Sequence, residues 1–330
     1  MKLQVPFIQL PVLFDAQVLA REVAALGEAV WRPHPQGFAG NSMLPLVAVG
    51  GDPANEAFGG PMQATPQLRA CPYLTQVLRS LGVTIGRTRL MRLSGHAEVT
   101  RHADQGYYWA ERVRVHVPIV TQPTVRFECG DAAVNMAAGE CWIFDTWRQH
   151  RVINDSVESR IHLVVDTVGG TRFWELVGKG RPYGVPFNDA TWRAAMQPPE
   201  AVAATELPCE SANLPDVMSP WELSAHLGFL FGEAKPNPRL VEVQQAALAL
   251  MRDWKALWAQ FGDSEAGRAK FRIAMQTFLA ATAAPAKTVL LRNELQLASV
   301  LASMIGRAAV ASDRPAMPSA AEQRAYGDNA

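Results

Sequence analysis

The feature that most constrains the fold of this 330-residue chain is a run of short strand-like segments between residues 85 and 167. The segments lie near 85–93, 98–104, 112–120, 124–129, 132–137, 140–145, 148–153 and 159–167. They are rich in β-branched and aromatic residues, and turn residues such as Gly130 and Asp131 separate them. Many short strands at this spacing predict a β-sandwich or a barrel.

The segment 112–120 differs in polarity between its two faces. Alternate residues of a strand project to opposite sides, so Val113, Val115 and Val117 share an apolar face. The opposite face carries Arg112, Arg114, His116 and Pro118. We expect the apolar face to be buried in the core, and the polar face to line a site if it looks into a barrel.

Three side chains in this region form a candidate metal site. His102 and Asp104 are two residues apart, so on an extended strand both project from the same face. His150 lies far along the chain and joins them only if folding brings its strand alongside. Two neutral imidazoles and one carboxylate suit non-haem Fe(II), because they leave adjacent coordination positions open for an oxidant and a co-substrate.

A cation completes the pattern. The residues around Asn154 are typical of a turn, and a hairpin centred there predicts that Arg160 lies opposite His150. A 2-oxo acid that chelates iron presents a second carboxylate, and a guanidinium binds a carboxylate through two parallel hydrogen bonds. The ligand set and the arginine together predict the site of a 2-oxoglutarate oxygenase.

Sequence motifs in the same region resemble a known family. They read PYLTQVL, RLMRL, RHAD, RVHVPI, GECWIFD and RIHLVVD. With them the chain resembles the aspartyl/asparaginyl β-hydroxylases, and within that family the bacterial proline hydroxylases of the cis type. The resemblance extends roughly over residues 10–170, and its specific motifs are confined to 89–167.

The resemblance implies a double-stranded β-helix, a jelly-roll or cupin-like barrel, that uses Fe(II), 2-oxoglutarate and O₂. His102, Asp104 and His150 are the implied iron ligands. Arg160 is the implied partner of the far carboxylate of 2-oxoglutarate, and His116 is implied to contact the co-substrate or its surroundings. Animal members of the family carry Gly in place of the acidic ligand. This chain keeps Asp104, and at that position it resembles the hydroxylases of free amino acids.

We therefore expect a hydroxylase that oxidises a free amino acid, such as proline or a relative, and releases succinate and CO₂. The substrate carboxylate needs a cationic partner in a buried site. Arg114 is the first candidate and Arg112 the second. The competing interpretation is that both form surface ion pairs with Glu111 or Glu128.

Other functions stay open at this point. One is hydroxylation of Asp, Asn or Pro residues within a peptide or protein. Another is a non-catalytic metal-binding β-barrel that senses a small acid. A zinc hydrolase is a weaker alternative, because it leaves Arg160 without a role.

Helical periodicity dominates outside the strand-rich region. Asp15 is a candidate N-cap of a first helix, and a second is expected over 71–81. Further helices are expected after Pro238, from Ser264 to Pro285, and over 287–306.

These patterns predict four parts of the chain. Residues 1–186 form the barrel domain with its N-terminal helices, and the proline-rich residues 187–218 form a linker. Residues 219–306 form an α-helical subdomain, through which a homodimer could assemble. Residues 307–330, rich in Ala and Pro, are expected to be a disordered tail.

Charge and cysteine content restrict the partners and the location. The chain has 31 basic and 31 acidic residues without a block of like charge, which argues against a nucleic-acid partner. No run of 18 apolar residues is present, so no membrane span is expected, and the N-terminus does not resemble a signal peptide. The four cysteines are widely spaced without a CxxC pair, which is typical of reduced thiols in the cytoplasm.

Overall fold

A computed structural model of the protein describes residues 1–35, 39–200 and 206–311. The chain forms two compact units. The first comprises Met1–Asp104 and Glu111–Ser211, and the second comprises Gln105–Ala110 and the described residues from Ala212 onward. Of the tail expected over 307–330, residues 312–330 lie outside the described residues. The part before them is not disordered as expected, because Val310 forms an antiparallel bridge with Val217 and Ala309 is buried.

The described part of the first unit contains fourteen strands in two sheets. The strands are β1 (Phe7–Phe14), β2 (Arg32–Pro33), β3 (Asn41–Val49), β4 (Met62–Ala64), β5 (Thr84–Leu93), β6 (Glu98–His102), β7 (Val113–Val120), β8 (Arg126–Cys129), β9 (Ala132–Val134), β10 (Glu140–Phe144), β11 (His150–Ile153), β12 (Arg160–Gly169), β13 (Arg181–Tyr183) and β14 (Ala195–Gln197). The larger sheet has the order β13-β1-β10-β7-β12-β5-β3-β2, with β14 beside β1 and β4 beside β3. The smaller sheet has the order β6-β11-β8-β9.

Helices cover one face of the larger sheet. They are α1 (Ala16–Ala25), α2 (Pro66–Arg69), α3 (Pro72–Ser80) and α5 (Thr171–Gly178), while α4 (Tyr107–Ala110) belongs to the second unit. The predicted cap is confirmed, since the Asp15 side chain accepts hydrogen bonds from two backbone N–H groups of α1. Leu19 of α1 and Leu78 of α3 pack in one core cluster with Val115 and Val117 of β7. The apolar face of β7 is therefore buried under the helices, as its alternation predicts.

The opposite face of the larger sheet meets the smaller sheet. Phe7 and Phe144 of the larger sheet share a second core cluster with Phe127 and Val152 of the smaller one. Two sheets of mainly antiparallel strands that enclose a common interior form the double-stranded β-helix that the family resemblance implies. The polar face of β7 looks into this interior.

One predicted strand pairing is wrong. His150 does not lie opposite Arg160 in a hairpin, because β11 joins the smaller sheet while β12 lies in the larger one. The connection between them crosses from sheet to sheet. The Asn154 side-chain amide holds it in place by donating hydrogen bonds to the backbone oxygens of Leu93, Ser94 and Glu158. The turn residues around Asn154 thus form a connection between the two sheets and not a hairpin within one sheet.

The second unit is helical. Its elements are α4, α6 (Pro220–Glu233), α7 (Leu240–Phe261), α8 (Arg268–Thr288), α9 (Leu297–Val300) and a π-helical turn at Leu301–Gly306. The rings of Trp254 of α7 and Phe271 of α8 pack against each other, with their centroids 4.7 Å apart and their planes tilted by 59°. No helix in the described ranges is long and apolar enough to cross a membrane.

The predicted helix boundaries in this unit need three corrections. The helix expected from Ser264 begins only at Arg268, after a 3-10 turn at Glu265–Gly267 that the Ser264 side chain does not cap. Pro285 does not end α8, which continues to Thr288, because the missing N–H removes a single backbone donor near the end of the helix. The helix expected over 287–306 begins only at Leu297, since isolated β-bridges and a left-handed Glu294 (φ 69°) precede it.

The segment expected to be a linker contains structure that its sequence pattern does not reveal. Residues Ala195–Gln197 form β14 in parallel with β1. Cys209 forms a bridge with Ile85 at the start of β5. Both belong to the first unit.

Candidate metal centre

Strand register brings the two predicted histidine ligands together. His102 ends β6 and His150 begins β11, and the two residues are direct partners in the antiparallel pairing of these strands. Partner residues project from the same face of a sheet. Their ring centroids accordingly lie 4.2 Å apart.

Asp104 completes the group. It lies just beyond the end of β6, where its backbone N–H donates to the Thr146 carbonyl at 3.0 Å. Its Oδ1 is 3.7 Å from His102 Nε2 and 4.0 Å from His150 Nε2. The donor atoms of all three residues lie within 4.8 Å of one another, a spacing at which one cation can contact all of them.

Backbone carbonyls orient both imidazoles. His102 Nδ1 lies 2.7 Å from the Thr100 oxygen, and His150 Nδ1 lies 2.9 Å from the Arg148 oxygen. A carbonyl oxygen only accepts, so each Nδ1 carries the proton and each Nε2 presents a lone pair. Metal-binding histidines are typically fixed in this way by a second hydrogen bond.

The three side chains of the candidate metal centre are largely buried. The side chains of Asp104 and His150 are fully buried, and His102 is 11 % exposed. Burial, then His102, holds the pKa of His150 well below its usual value, so its imidazole is neutral. The His150 Nε2 has no hydrogen-bond partner among the described residues. Two imidazole nitrogens and one carboxylate in a buried group fit Fe(II).

Arg114 contacts the acidic member of the group. Its Nη1 lies 3.2 Å from Asp104 Oδ2, and its Nε donates a hydrogen bond of 3.0 Å to Asp166 Oδ1. Asp166 and Arg114 are direct partners across β12 and β7. The guanidinium therefore lies between two carboxylates, and all three side chains are buried.

Arg160 lies on the same inner face with two histidines. One Nη donates to His162 Nδ1 at 2.8 Å, and His116 Nδ1 lies 3.4 Å from the same atom. Because His162 Nδ1 accepts from the guanidinium, the second contact requires a proton on His116 Nδ1. The Nε2 of His116 then carries a lone pair, and it has no hydrogen-bond partner among the described residues.

The charge states of these groups follow from their burial. Burial lowers the pKa of Arg160 to about 9, so its guanidinium remains cationic at neutral pH. Burial, then the charges of Arg160, Arg114 and Arg89, holds the pKa of His116 well below its usual value. The pKa of His162 is lowered chiefly by burial as well. Neutral histidines thus surround a buried cation, which forms no salt bridge with a carboxylate of the described ranges.

Residues 44–169 match the model of the family described as Aspartyl/Asparaginyl beta-hydroxylase. The resemblance found in the sequence is confirmed over this segment. The matched segment runs from β3 to β12 and contains every site residue predicted from the sequence. The expectation that the chain is a hydroxylase of the 2-oxoglutarate oxygenase class agrees with this match.

Several solved structures share part of this chain's architecture at low sequence identity. A 2OG-Fe(II) oxygenase family oxidoreductase from Burkholderia pseudomallei is 17 % identical, with 51 % of this chain and 88 % of that one covered and a TM-score of 0.35. A prolyl-4-hydroxylase from Pseudomonas putida is 17 % identical, with coverages of 50 % and 92 % and a TM-score of 0.34. A Trichoplax adhaerens prolyl hydroxylase in complex with a hypoxia inducible factor peptide is 13 % identical, with coverages of 52 % and 87 % and a TM-score of 0.36.

The two arginines predicted to bind substrate already contact carboxylates of the protein. Arg114 contacts Asp104 and Asp166, as described above. Arg112 donates two hydrogen bonds of 2.9 Å to the Glu210 carboxylate. Arg112 is 4 % exposed and Arg114 is fully buried, so the interpretation that they form surface ion pairs is wrong. A substrate-binding role for either residue stays a prediction.

Sequence reasoning missed the role of Asp166. The residue belongs to the RIHLVVD motif and shares a strand face with Arg160 and His162 by simple alternation. That alternation could have placed it inside the barrel. Its contact with Arg114 could not be read in the same way, because the two residues are 52 positions apart in the chain.

Proposed function

We propose that this protein is an Fe(II)- and 2-oxoglutarate-dependent hydroxylase of a free amino acid, such as proline or a relative. The observation that carries the proposal is the convergence of His102, Asp104 and His150 in an interior that also holds the buried cation Arg160. Metal ligands alone would suit several metals. The cation on the same inner face adds a binding partner for the second carboxylate of a 2-oxo acid.

The metal would be held by the Nε2 atoms of His102 and His150 and by Asp104. When bound, Fe(II) and 2-oxoglutarate together supply the oxidising chemistry that places one atom of O₂ on a substrate carbon, with release of succinate and CO₂. Backbone carbonyls orient both imidazoles, and burial keeps that of His150 neutral. Asp104 supplies the negative charge that a divalent cation needs.

Arg160 would bind the far carboxylate of 2-oxoglutarate. Its Nε has no hydrogen-bond partner among the described residues, and one Nη is fixed by His162. Holding a guanidinium in one orientation reduces the entropy that it loses when it binds a carboxylate. Because the group is 2 % exposed, little water competes with that interaction. His116, beside His162, is then placed to contact the co-substrate or its surroundings.

The charges on the inner face suit a substrate that carries a carboxylate. Arg89, Arg114 and Arg160 are buried there with Asp104 and Asp166, so three cationic side chains accompany two anionic ones. A free amino acid brings a carboxylate and an ammonium group into the site, and each needs a partner of opposite charge there. Arg114 and Arg112 are the predicted partners of that carboxylate, and Arg89 is a further cation beside His116.

Metal and co-substrate binding test the proposal directly. Anaerobic addition of Fe(II) and 2-oxoglutarate should produce the weak visible charge-transfer band of a chelated 2-oxo acid. Replacing His102, Asp104 or His150 by Ala should each abolish the band. The control is His96→Asn, because His96 lies outside the metal centre and Asn tolerates its positive φ of 59°. A protein that binds zinc tightly and gives no band with iron would overturn the assignment.

Substrate class requires a separate experiment. Succinate release should be screened over free amino acids and short peptides, with mass spectrometry to detect the gain of one oxygen atom. We expect turnover of a free amino acid. Activity on peptides alone would contradict the free amino acid and support the peptide alternative. A charge-transfer band without turnover of either class would support the non-catalytic metal-binding barrel.

Two further expectations stay predictions. Homodimerisation through the helical unit is checked by light scattering of the purified protein. A cytoplasmic location is checked by fractionation of the cells that produce it.

A further inference from the structure

We infer that Arg114 and Asp166 are positioning residues that decide which oxygen of Asp104 binds the metal. The inference rests on the proposed function, because it concerns the metal that this function requires. It gives Arg114 a role different from the substrate binding that its sequence position predicts.

The two oxygens of Asp104 have different surroundings. Oδ1 is the atom that lies 3.7 Å from His102 Nε2 and 4.0 Å from His150 Nε2. Oδ2 is the atom that lies 3.2 Å from Arg114 Nη1. The guanidinium thus engages one oxygen and leaves the other directed at the histidines, which favours binding of the metal through Oδ1 alone.

Asp166 holds the guanidinium from its other side. Arg114 Nε donates to Asp166 Oδ1 at 3.0 Å, and the two residues are partners in the pairing of β7 with β12. Both strands lie inside the larger sheet, with neighbours on each side. The guanidinium is therefore fixed by the sheet register and not by a flexible contact.

The charge of Asp166 also preserves the attraction of Asp104 for a cation. Arg114 and Asp104 alone would sum to zero charge, since +1 and −1 cancel. With Asp166 the sum is −1, because −1, +1 and −1 are combined. The side chains are 0 %, 0 % and 1 % exposed, so water screens this difference weakly. Asp166, which contacts Arg114 and not a metal ligand, thereby maintains the net negative charge beside the metal site.

The test is metal affinity measured without 2-oxoglutarate or substrate. Asp166→Asn removes the charge and should weaken binding of Fe(II), and of Co(II) as a spectroscopic substitute, by about 10-fold, the lower end of the range for direct partners of metal ligands, because Asp166 acts through Arg114. The matched control is Glu210→Gln, which alters a buried carboxylate that binds Arg112 in the same unit. Its metal affinity should equal that of the wild type.

Arg114→Lys is the second variant, and it tests the positioning role by itself if Asp166→Asn does not fold. Lysine keeps the charge but lacks the planar fork that reaches both Asp104 and Asp166. We expect weaker Co(II) binding and a changed Co(II) visible spectrum. If Arg114 served only the substrate, both measurements would match the wild type, and that result would overturn the inference. If His102→Ala leaves Co(II) binding of the otherwise wild-type protein unchanged, the proposed function itself fails.

Discussion

Replacement of Arg160 by Ala provides the sharpest test of the proposed co-substrate site. The guanidinium is 2 % exposed, keeps its charge at neutral pH and is oriented by His162. Removing one partner of a buried, hydrogen-bonded charge pair costs about 2–5 kcal/mol. At about 1.4 kcal/mol for each factor of ten, the affinity for 2-oxoglutarate should fall by about 30- to 4,000-fold. Arg160→Lys should recover part of this loss, because lysine keeps the charge but lacks the two parallel hydrogen bonds.

Replacement of Arg160 should not lower the stability of the ligand-free protein, although it lowers the affinity for 2-oxoglutarate. A buried cation without a carboxylate partner is costly, so an apolar replacement of similar volume relieves that cost. We therefore expect Arg160→Met to be at least as stable as the wild type in urea, although it binds 2-oxoglutarate weakly. A variant that lost both stability and binding would point to a structural role for Arg160.

The assay is anaerobic titration of the Fe(II)-loaded protein with 2-oxoglutarate, followed by the charge-transfer band or by calorimetry. The control is Arg92→Ala, which removes an arginine of β5 whose guanidinium binds the exposed Glu28. Its affinity for 2-oxoglutarate should not change. An Arg160→Ala protein with wild-type affinity would refute the assignment and show that another cation binds the co-substrate.

Two further predictions concern stability. The pKa values of His116 and His162 lie well below their ordinary value of 6.5, so the unfolded chain takes up protons that the native state resists. Stability is then full above pH 6.5 and falls below it, by about 1.4 kcal/mol for each histidine between pH 7.5 and 5.5. Urea unfolding of the metal-free protein measures this, and equal midpoints at both pH values would contradict it. Gly139→Ala should destabilise the protein by about 1–3 kcal/mol, because φ is 83° and the new Cβ would lie 2.2 Å from the Phe14 carbonyl oxygen. The control is Gly178→Ala, whose new Cβ has no atom within 4 Å, so the urea midpoint should stay unchanged or rise.

The sequence by itself determined where the strands between residues 85 and 167 lie and which side chains can bind a metal. The strand expected over 112–120 is observed at Val113–Val120, and the strand expected over 140–145 is observed at Glu140–Phe144. Both are accurate because strand-forming residue types and the turn residues that separate them are local properties of the sequence. The donor chemistry of His102, Asp104 and His150 is equally local, since it depends only on residue type.

Tertiary structure alone decided which strands are neighbours. The turn between His150 and Arg160 suggested that these two residues would pair. Instead, His150 lies opposite His102, and Arg160 lies opposite Leu93. Partner choice depends on closure of two sheets around one core, and no window of sequence contains that information. The same reason explains why the contact of Arg114 with Asp166 was not predicted. Alternation places Arg114 on the inner face, but only the pairing of β7 with β12 brings it to Asp166, 52 residues away.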